Sequence, residues 1–271
     1  MKFVQRDMGA AAEASNGGGS SGWRREVLLL GCALLALTLG LWFGIGWAVE
    51  WALPLISVET ERQWFGSFSP SHTAEPTALP AALANRLART QAVLTRLQAD
   101  AAVPRFDYRL LVLPDKEPNA FAFPGGSIGV TRGLLELLED DDVAMAFVLG
   151  HELGHFAHRD QLRGIGRAFG RSLAWALILG DDGDGLLNSH LTTLLELRHS
   201  RGQEHDADLY GLELVHRTYG TTKGTDRLFV WLERRERSAA WMEMLLTHPQ
   251  PQGRLVELRA HAARLQSGIS P

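Results

Sequence analysis

Two histidines four residues apart on an apolar segment limit this chain more than any other feature in it. They stand in His151-Glu152-Leu153-Gly154-His155, and Val143 to Gly150 before them hold no proline and no charge. Such a run is a helix. Residues four apart on a helix share a face, so the two imidazoles can meet one metal ion. Glu152, one position on, reaches a water at that ion rather than the ion itself. A surface helix with two unrelated histidines is the competing interpretation. The apolar neighbours argue against it, because they bury the helix, and buried imidazoles need partners. Zinc suits imidazole and carboxylate ligands, and a catalytic zinc keeps one position open for water.

The rest of the composition narrows the ligand set. With 271 residues, 45% of them hydrophobic, the chain has room for one or two domains and a sizeable core. A net charge of -4 and the lack of a basic cluster exclude a nucleic-acid partner. Cys32 is the only cysteine, which rules out an internal disulfide and any cysteine-rich zinc site. A bound metal is therefore held by His, Asp and Glu.

Residues 1–22 are polar and rich in glycine and serine, too poor in apolar surface to fold, and read as a disordered cytoplasmic tail. Val27 to Val49 then run 23 residues without a charge. As a helix they would span about 34 Å, against a hydrocarbon core of roughly 30 Å. Trp23 precedes the run, and Trp42, Trp47 and Trp51 mark its far end, as interfacial aromatics do. We expect one transmembrane helix over 27–49 that contacts membrane lipid. A cleaved signal peptide is disfavoured by the long polar tail, and Leu29-Leu30-Gly31-Cys32 follows too short an apolar stretch for a lipoprotein signal. Lys2, Arg6, Arg24 and Arg25 precede the helix, whereas Glu50, Glu59 and Glu61 follow it. The positive-inside rule puts the N-terminus in the cytoplasm, hence a single-pass protein of a bacterial inner membrane with its remainder in the periplasm.

Residues 50–80, with Pro70, Pro76 and Pro80, read as a juxtamembrane linker, and residues 81–271 as the catalytic domain. Apolar residues recur at helical spacing from Ala81 to Ala101, and Asp107 to Leu113 reads as a strand. Asn119–Phe123 and Ser127–Thr131 flank Pro124-Gly125-Gly126, a hairpin signal. Gly133 to Leu138 begins a helix, and Glu139 to Asp142 favour the N-terminus of the next through its dipole. Phe169 to Leu179 is apolar but too short to span a bilayer, so it is a buried or interfacial helix. Gly180 to Gly185 lacks the glutamate and spacing of a calcium loop and reads as a solvated turn.

The third ligand decides the class of zinc chemistry. The compact metzincin pattern requires a glycine and a histidine where this chain has His158 and Gln161, so that class is excluded. His158 is a surface or supporting histidine. Further on, Glu204 and Asp208 lie four apart on one helical face. Glu204 can ligate the metal while Asp208 accepts a hydrogen bond from a ligand histidine. A solvated acidic face, helped by Asp206, is the alternative. His205 and Asp206 point elsewhere.

Together, His151-Glu152-Leu153-Gly154-His155, Glu204 and Asp208 resemble the membrane-associated gluzincins: HtpX-type proteases, CAAX prenyl proteases and their periplasmic relatives. Asn119 to Gly126, Thr131 to Leu135, His158-Arg159-Asp160, and Thr247-His248-Pro249 with Arg254 follow in family order. The resemblance implies an α+β, mostly helical zincin-like domain with a small sheet, following the transmembrane helix. It implies one Zn2+ per chain, held by His151, His155 and Glu204, with Glu152 as general base. A single transmembrane helix departs from the HtpX and CAAX types, and the chain looks more like small periplasmic quality-control enzymes. Unfolded or misassembled envelope proteins are then the expected substrates, paired along Asn119, Ala120 and Phe121 as on a strand edge. A membrane-tethered chaperone or assembly factor with a mostly closed zinc site is the alternative, and an intact Glu152 argues against it. His248 stands in the family's active-site loop. Two roles are open to it: a hydrogen-bond donor to the developing oxyanion, or a fourth ligand that plugs the resting site.

Overall fold

The computed structural model describes residues 22–66, 79–179, 199–234, 248 and 251–267. The expected tail, the middle of the expected linker and the expected turn at Gly180 to Gly185 lie outside these residues.

Helix α1 covers Gly22–Ala52 and buries none of its residues in the protein. Among the described residues it is the one helix long and apolar enough to cross a membrane.

From Val49 onwards the chain forms a separate compact unit. A short 3-10 turn at Leu53–Leu55 leads to α2, Val58–Phe65, which occupies part of the stretch expected to be linker. Two interactions account for that helix. Ser57 caps it, its Oγ accepting from the Thr60 backbone N at 3.0 Å. Glu61 is 2% exposed and takes Arg159 Nη2 at 3.1 Å and the Gly125 backbone N at 3.3 Å. Gly125 is obligatory there: its φ is +81°, and a Cβ would lie 2.6 Å from the Phe65 carbonyl carbon.

Helix α3, Ala81–Gln98, buries Leu83, Val93, Leu94 and Leu97. The sheet follows, with β1 at Arg109–Leu113, β2 at Ala120–Phe123 and β3 at Ser127–Thr131. Its order is β1-β3-β2, with β1 parallel and β2 antiparallel to β3, so β2 lies at an edge. Thr131 then caps α4, Arg132–Leu137, its side chain accepting from Leu134 N. Asp141 caps α5, Asp142–His158, in the same way through Ala144 N. Every residue of α5 from Ala144 to Phe156 is buried, so this helix, covered on all sides, is the axis of the domain. Around it pack α3, β2, α6 (Asp160–Leu179) and above all α7 (Arg201–Tyr219). Helices α8, Arg227–Glu233, and α9, Pro251–Gln266, complete the described elements. The architecture is mostly helical with a small three-stranded sheet, as the sequence leads one to expect.

Candidate metal centre

The centre exists because α5 and α7 touch backbone to backbone. A Cβ on Gly211 would lie 2.7 Å from the His151 backbone N, and one on Gly154 would lie 2.9 Å from Ala207 Cα. Small residues four apart on both helices permit this approach, and it sets Glu204 against the two histidines. Ser200 and Gln203 close a capping box that starts α7 directly before Glu204.

His151 Nδ1 lies 2.9 Å from Asp208 Oδ1, and His155 Nδ1 lies 2.9 Å from Asp160 Oδ2. Carboxylates only accept, so each Nδ1 donates and each Nε2 is left facing the other, 3.1 Å away. Glu204 closes the triangle at 3.5 Å from His155 Nε2 and 3.7 Å from His151 Nε2. Zinc bonds of about 2.0–2.1 Å set tetrahedral ligand atoms roughly 3.3 Å apart, which matches this triangle. Burial keeps His151 below its usual pKa in spite of Asp208 and Glu204. Burial also opposes charge on His155, but Asp160 and Glu204 outweigh it and raise that ring to about 10. Two converging imidazole nitrogens beside a carboxylate call for a cation, and without a metal a proton on His155 serves. The donor set therefore fits zinc.

His248 shares the centre: its donor atoms and those of His151, His155 and Glu204 all lie within 4.8 Å of one another. Its Nδ1 is 3.0 Å from Glu204 Oε2, and its Nε2 is 3.4 Å from the Ala120 carbonyl and 3.9 Å from Glu152 Oε1. Burial disfavours charge on this ring, yet the Glu204 carboxylate raises its pKa. Glu152 is 2% exposed, and its Oε2 has no hydrogen-bond partner.

Of the expected strand residues, Asn119 and Ala120 line a narrow cleft with Glu152, His248 and the apolar Phe147, Val148, Leu228 and Phe229. The buried Asn119 Nδ2 has no partner. Phe121 is not part of the lining and stacks on Phe123 instead. His158 lies half-buried against Tyr210, away from the centre, and His205 is exposed and pairs with Glu257.

Three residues escape a reading of the motifs alone. Asp160, which orients His155, also takes Gln203 Nε2 and Arg163 Nη1 at 2.7 Å each. The buried Arg254 grips Asp208 with two bonds of 2.7 Å and pairs with Glu204; against the effect of burial, Arg254 holds the Asp208 carboxyl below its usual range, and His248 and His155, with Arg254, do the same for Glu204. His199 stacks on His155 with ring centroids 3.8 Å apart, and burial, with the charges of His155 and His248, pushes it down to about 2. Asp160 and Arg254 sit inside the family-like segments, which was their only signal in the sequence.

Residues 84–262 match the family model described as Peptidase family M48. A protease HtpX homolog of Methanopyrus kandleri is 28% identical over 226 residues, covering 68% of this chain and 70% of that protein. The mitochondrial metalloendopeptidase OMA1 of Schizosaccharomyces pombe is 35% identical over 127 residues, 45% of this chain and 37% of its own length. The beta-barrel assembly-enhancing protease of Yersinia pestis is 27% identical over 184 residues, 63% of this chain. The chain spans only 38% of that last relative.

Proposed function

The chain belongs to peptidase family M48, a family of metallopeptidases, and from that premise we propose that it is a membrane-anchored zinc metalloendopeptidase that cleaves unfolded or misassembled envelope proteins. The observation that carries the chemistry is the triangle of His151, His155 and Glu204, with the unpartnered Glu152 Oε2 beside it. A zinc ion held there supplies a Lewis acid, which acidifies a water towards a pKa of roughly 7 and polarises the substrate carbonyl. Glu152 takes the proton of the attacking water and returns it to the leaving amine. Asp208 and Asp160 keep both rings turned inward by their Nδ1 bonds.

The substrate pairs as an extended strand along β2, where the free Asn119 Nδ2 donates to a substrate carbonyl. An apolar substrate side chain enters the cleft between Phe147, Val148, Leu228 and Phe229. Backbone pairing is tolerant of sequence, which suits unfolded chains. The relatives named as HtpX and beta-barrel assembly-enhancing proteases support a role in envelope quality control, and α1 supports the membrane anchor.

His248 restrains the enzyme. Its contacts with Glu204 and the Ala120 carbonyl put the ring where a substrate carbonyl would bind, so His248 must give way before turnover. This closed arrangement is also what a chaperone with a silent site would show, and activity separates the two. We expect the full-length protein to digest casein, the digestion to stop with a zinc chelator or with Glu152→Gln, and His248→Ala to digest faster. Slower digestion by His248→Ala refutes the plug, and no cleavage by any form refutes the peptidase.

A further inference from the structure

We propose that residues 50–66 belong to the metal centre: through Glu50 and Glu61 they hold Arg163 and Arg159, which are positioning residues for the ligand His155. This role rests on the zinc peptidase reading and enlarges its site.

The link between His155 and its carboxylate runs through one corner. His155 stands on the last turn of α5, and Asp160, which orients it, opens α6 five residues later. Arg159 lies between the two helices, so its backbone sets where Asp160 stands. Its φ is +58°, the one positive φ outside glycine among the described residues. Glycine or asparagine fills that left-handed position at little cost, whereas arginine does not. What the arginine supplies is its side chain. Nη1 donates to the carbonyls of Leu53, at 2.8 Å, and of Ile56, and Nη2 reaches Glu61 Oε2 at 3.1 Å. All three acceptors lie in the stretch that reads as linker in the sequence. Glu61 is buried there, and a buried carboxylate needs partners. Its other oxygen takes the Gly125 backbone N, in the turn from β2 to β3. One carboxylate thus ties the α5–α6 corner to the hairpin that carries the substrate strand.

A second route reaches Asp160 itself. Its Oδ2 meets His155, and its Oδ1 takes Gln203 Nε2 and Arg163 Nη1. A carboxylate is planar, so fixing Oδ1 also fixes the direction in which Oδ2 meets the ring. Arg163 is held in its turn. Nη1 also donates to the His158 carbonyl at 2.9 Å, and Nε lies 2.8 and 3.0 Å from the two oxygens of Glu50. Glu50, Arg163, Asp160 and His155 therefore form an unbroken line from the residue after Val49 to a metal ligand. A guanidinium fork meets both carboxylates at once, which the point charge of a lysine cannot do.

Positioning separates from stability along this line. The side chains of Glu50 and Arg163 are 42% and 23% exposed, and ion pairs so near solvent add little to folding. Breaking that pair loosens His155 and leaves the domain folded.

The test uses the full chain in detergent with Co2+ in place of zinc, because the visible bands of Co2+ report ligand geometry without turnover. Competition with a chelator gives the affinity. Glu50→Ala and Arg163→Lys, which keeps a cation beside Asp160, should each shift the bands and weaken binding by up to about tenfold. The double variant should be no weaker than either single one, since Glu50 acts through Arg163. All three should keep the parent Tm. Glu61→Gln turns an amide NH2 towards Arg159 or the Gly125 N–H and should also shift the bands. Glu59→Gln, on the exposed face of α2, should match the parent. Parent-like bands and affinity in Glu50→Ala and Arg163→Lys overturn the proposal and leave the metal site standing. Additive losses in the double variant, equal losses in Glu59→Gln, or losses that follow a fall in Tm also overturn it. A parent that takes up no Co2+ overturns the metal centre and the proposal together.

Discussion

Asp160 and Asp208 each hold one imidazole by its Nδ1, but they differ in what else depends on them. Asp208 also receives two bonds from the buried Arg254, so Asp208→Ala strands a cation as well as freeing His151. Removing one partner of a buried pair typically costs about 3–5 kcal/mol. We expect Asp208→Ala to weaken zinc binding by about 10–100-fold and to lower Tm, whereas Glu204→Ala loses the metal outright. Metal analysis beside thermal unfolding checks both, and full zinc in Glu204→Ala would remove it from the ligand set. Acidity acts through His155. In the metal-free protein that ring holds its proton up to about pH 10, so zinc uptake below that pH must expel it. Apparent zinc affinity should climb roughly tenfold per pH unit between about 7 and 9. Competition against a chelator of known affinity measures this, and a flat profile contradicts it.

At the scale of elements, the distance between α5 and α7 sets the geometry of the centre. Gly211→Val forces atoms into the His151 backbone, where even a Cβ would stand 2.7 Å from N. We expect it to part the helices and release zinc. Gly202→Ala on the same helix meets only Ser200 Oγ at 4.0 Å, and should leave zinc content unchanged while raising Tm slightly. Equal zinc retention in both variants would mean that the helix contact does not position Glu204. The meeting of these residues was legible in the sequence, because His151 with His155 and Glu204 with Asp208 sit at helical spacings that a reader can test. The β2–β3 hairpin was legible from Pro124-Gly125-Gly126. What escaped depends on contacts between distant segments. The docking of α2 rests on Glu61 meeting Arg159, 98 residues away, and the second support of Asp208 rests on Arg254, 46 residues away. The parallel pairing of β1 with β3 has no local signature at all.

For the whole molecule, orientation across the membrane decides which proteins the peptidase can meet. Lys2, Arg6, Arg24 and Arg25 precede the apolar run, and three glutamates follow it within residues 50–61. A phosphatase fused after residue 271, active only outside the cytoplasm, should be active. An inactive fusion, with a cytoplasmic reporter active in its place, would reverse the topology and the proposed substrates with it. One property of the centre then bears on time rather than on place. His151, His155, Glu204 and His248 are between 0 and 6% exposed, so a chelator should reach an ion held there only when the site opens. Zinc loss should therefore be first order, with a half-life that stops shortening once chelator is in excess. Such an enzyme sets the lifetime of its own metal, and zinc scarcity outside the cell would silence it only as fast as it opens.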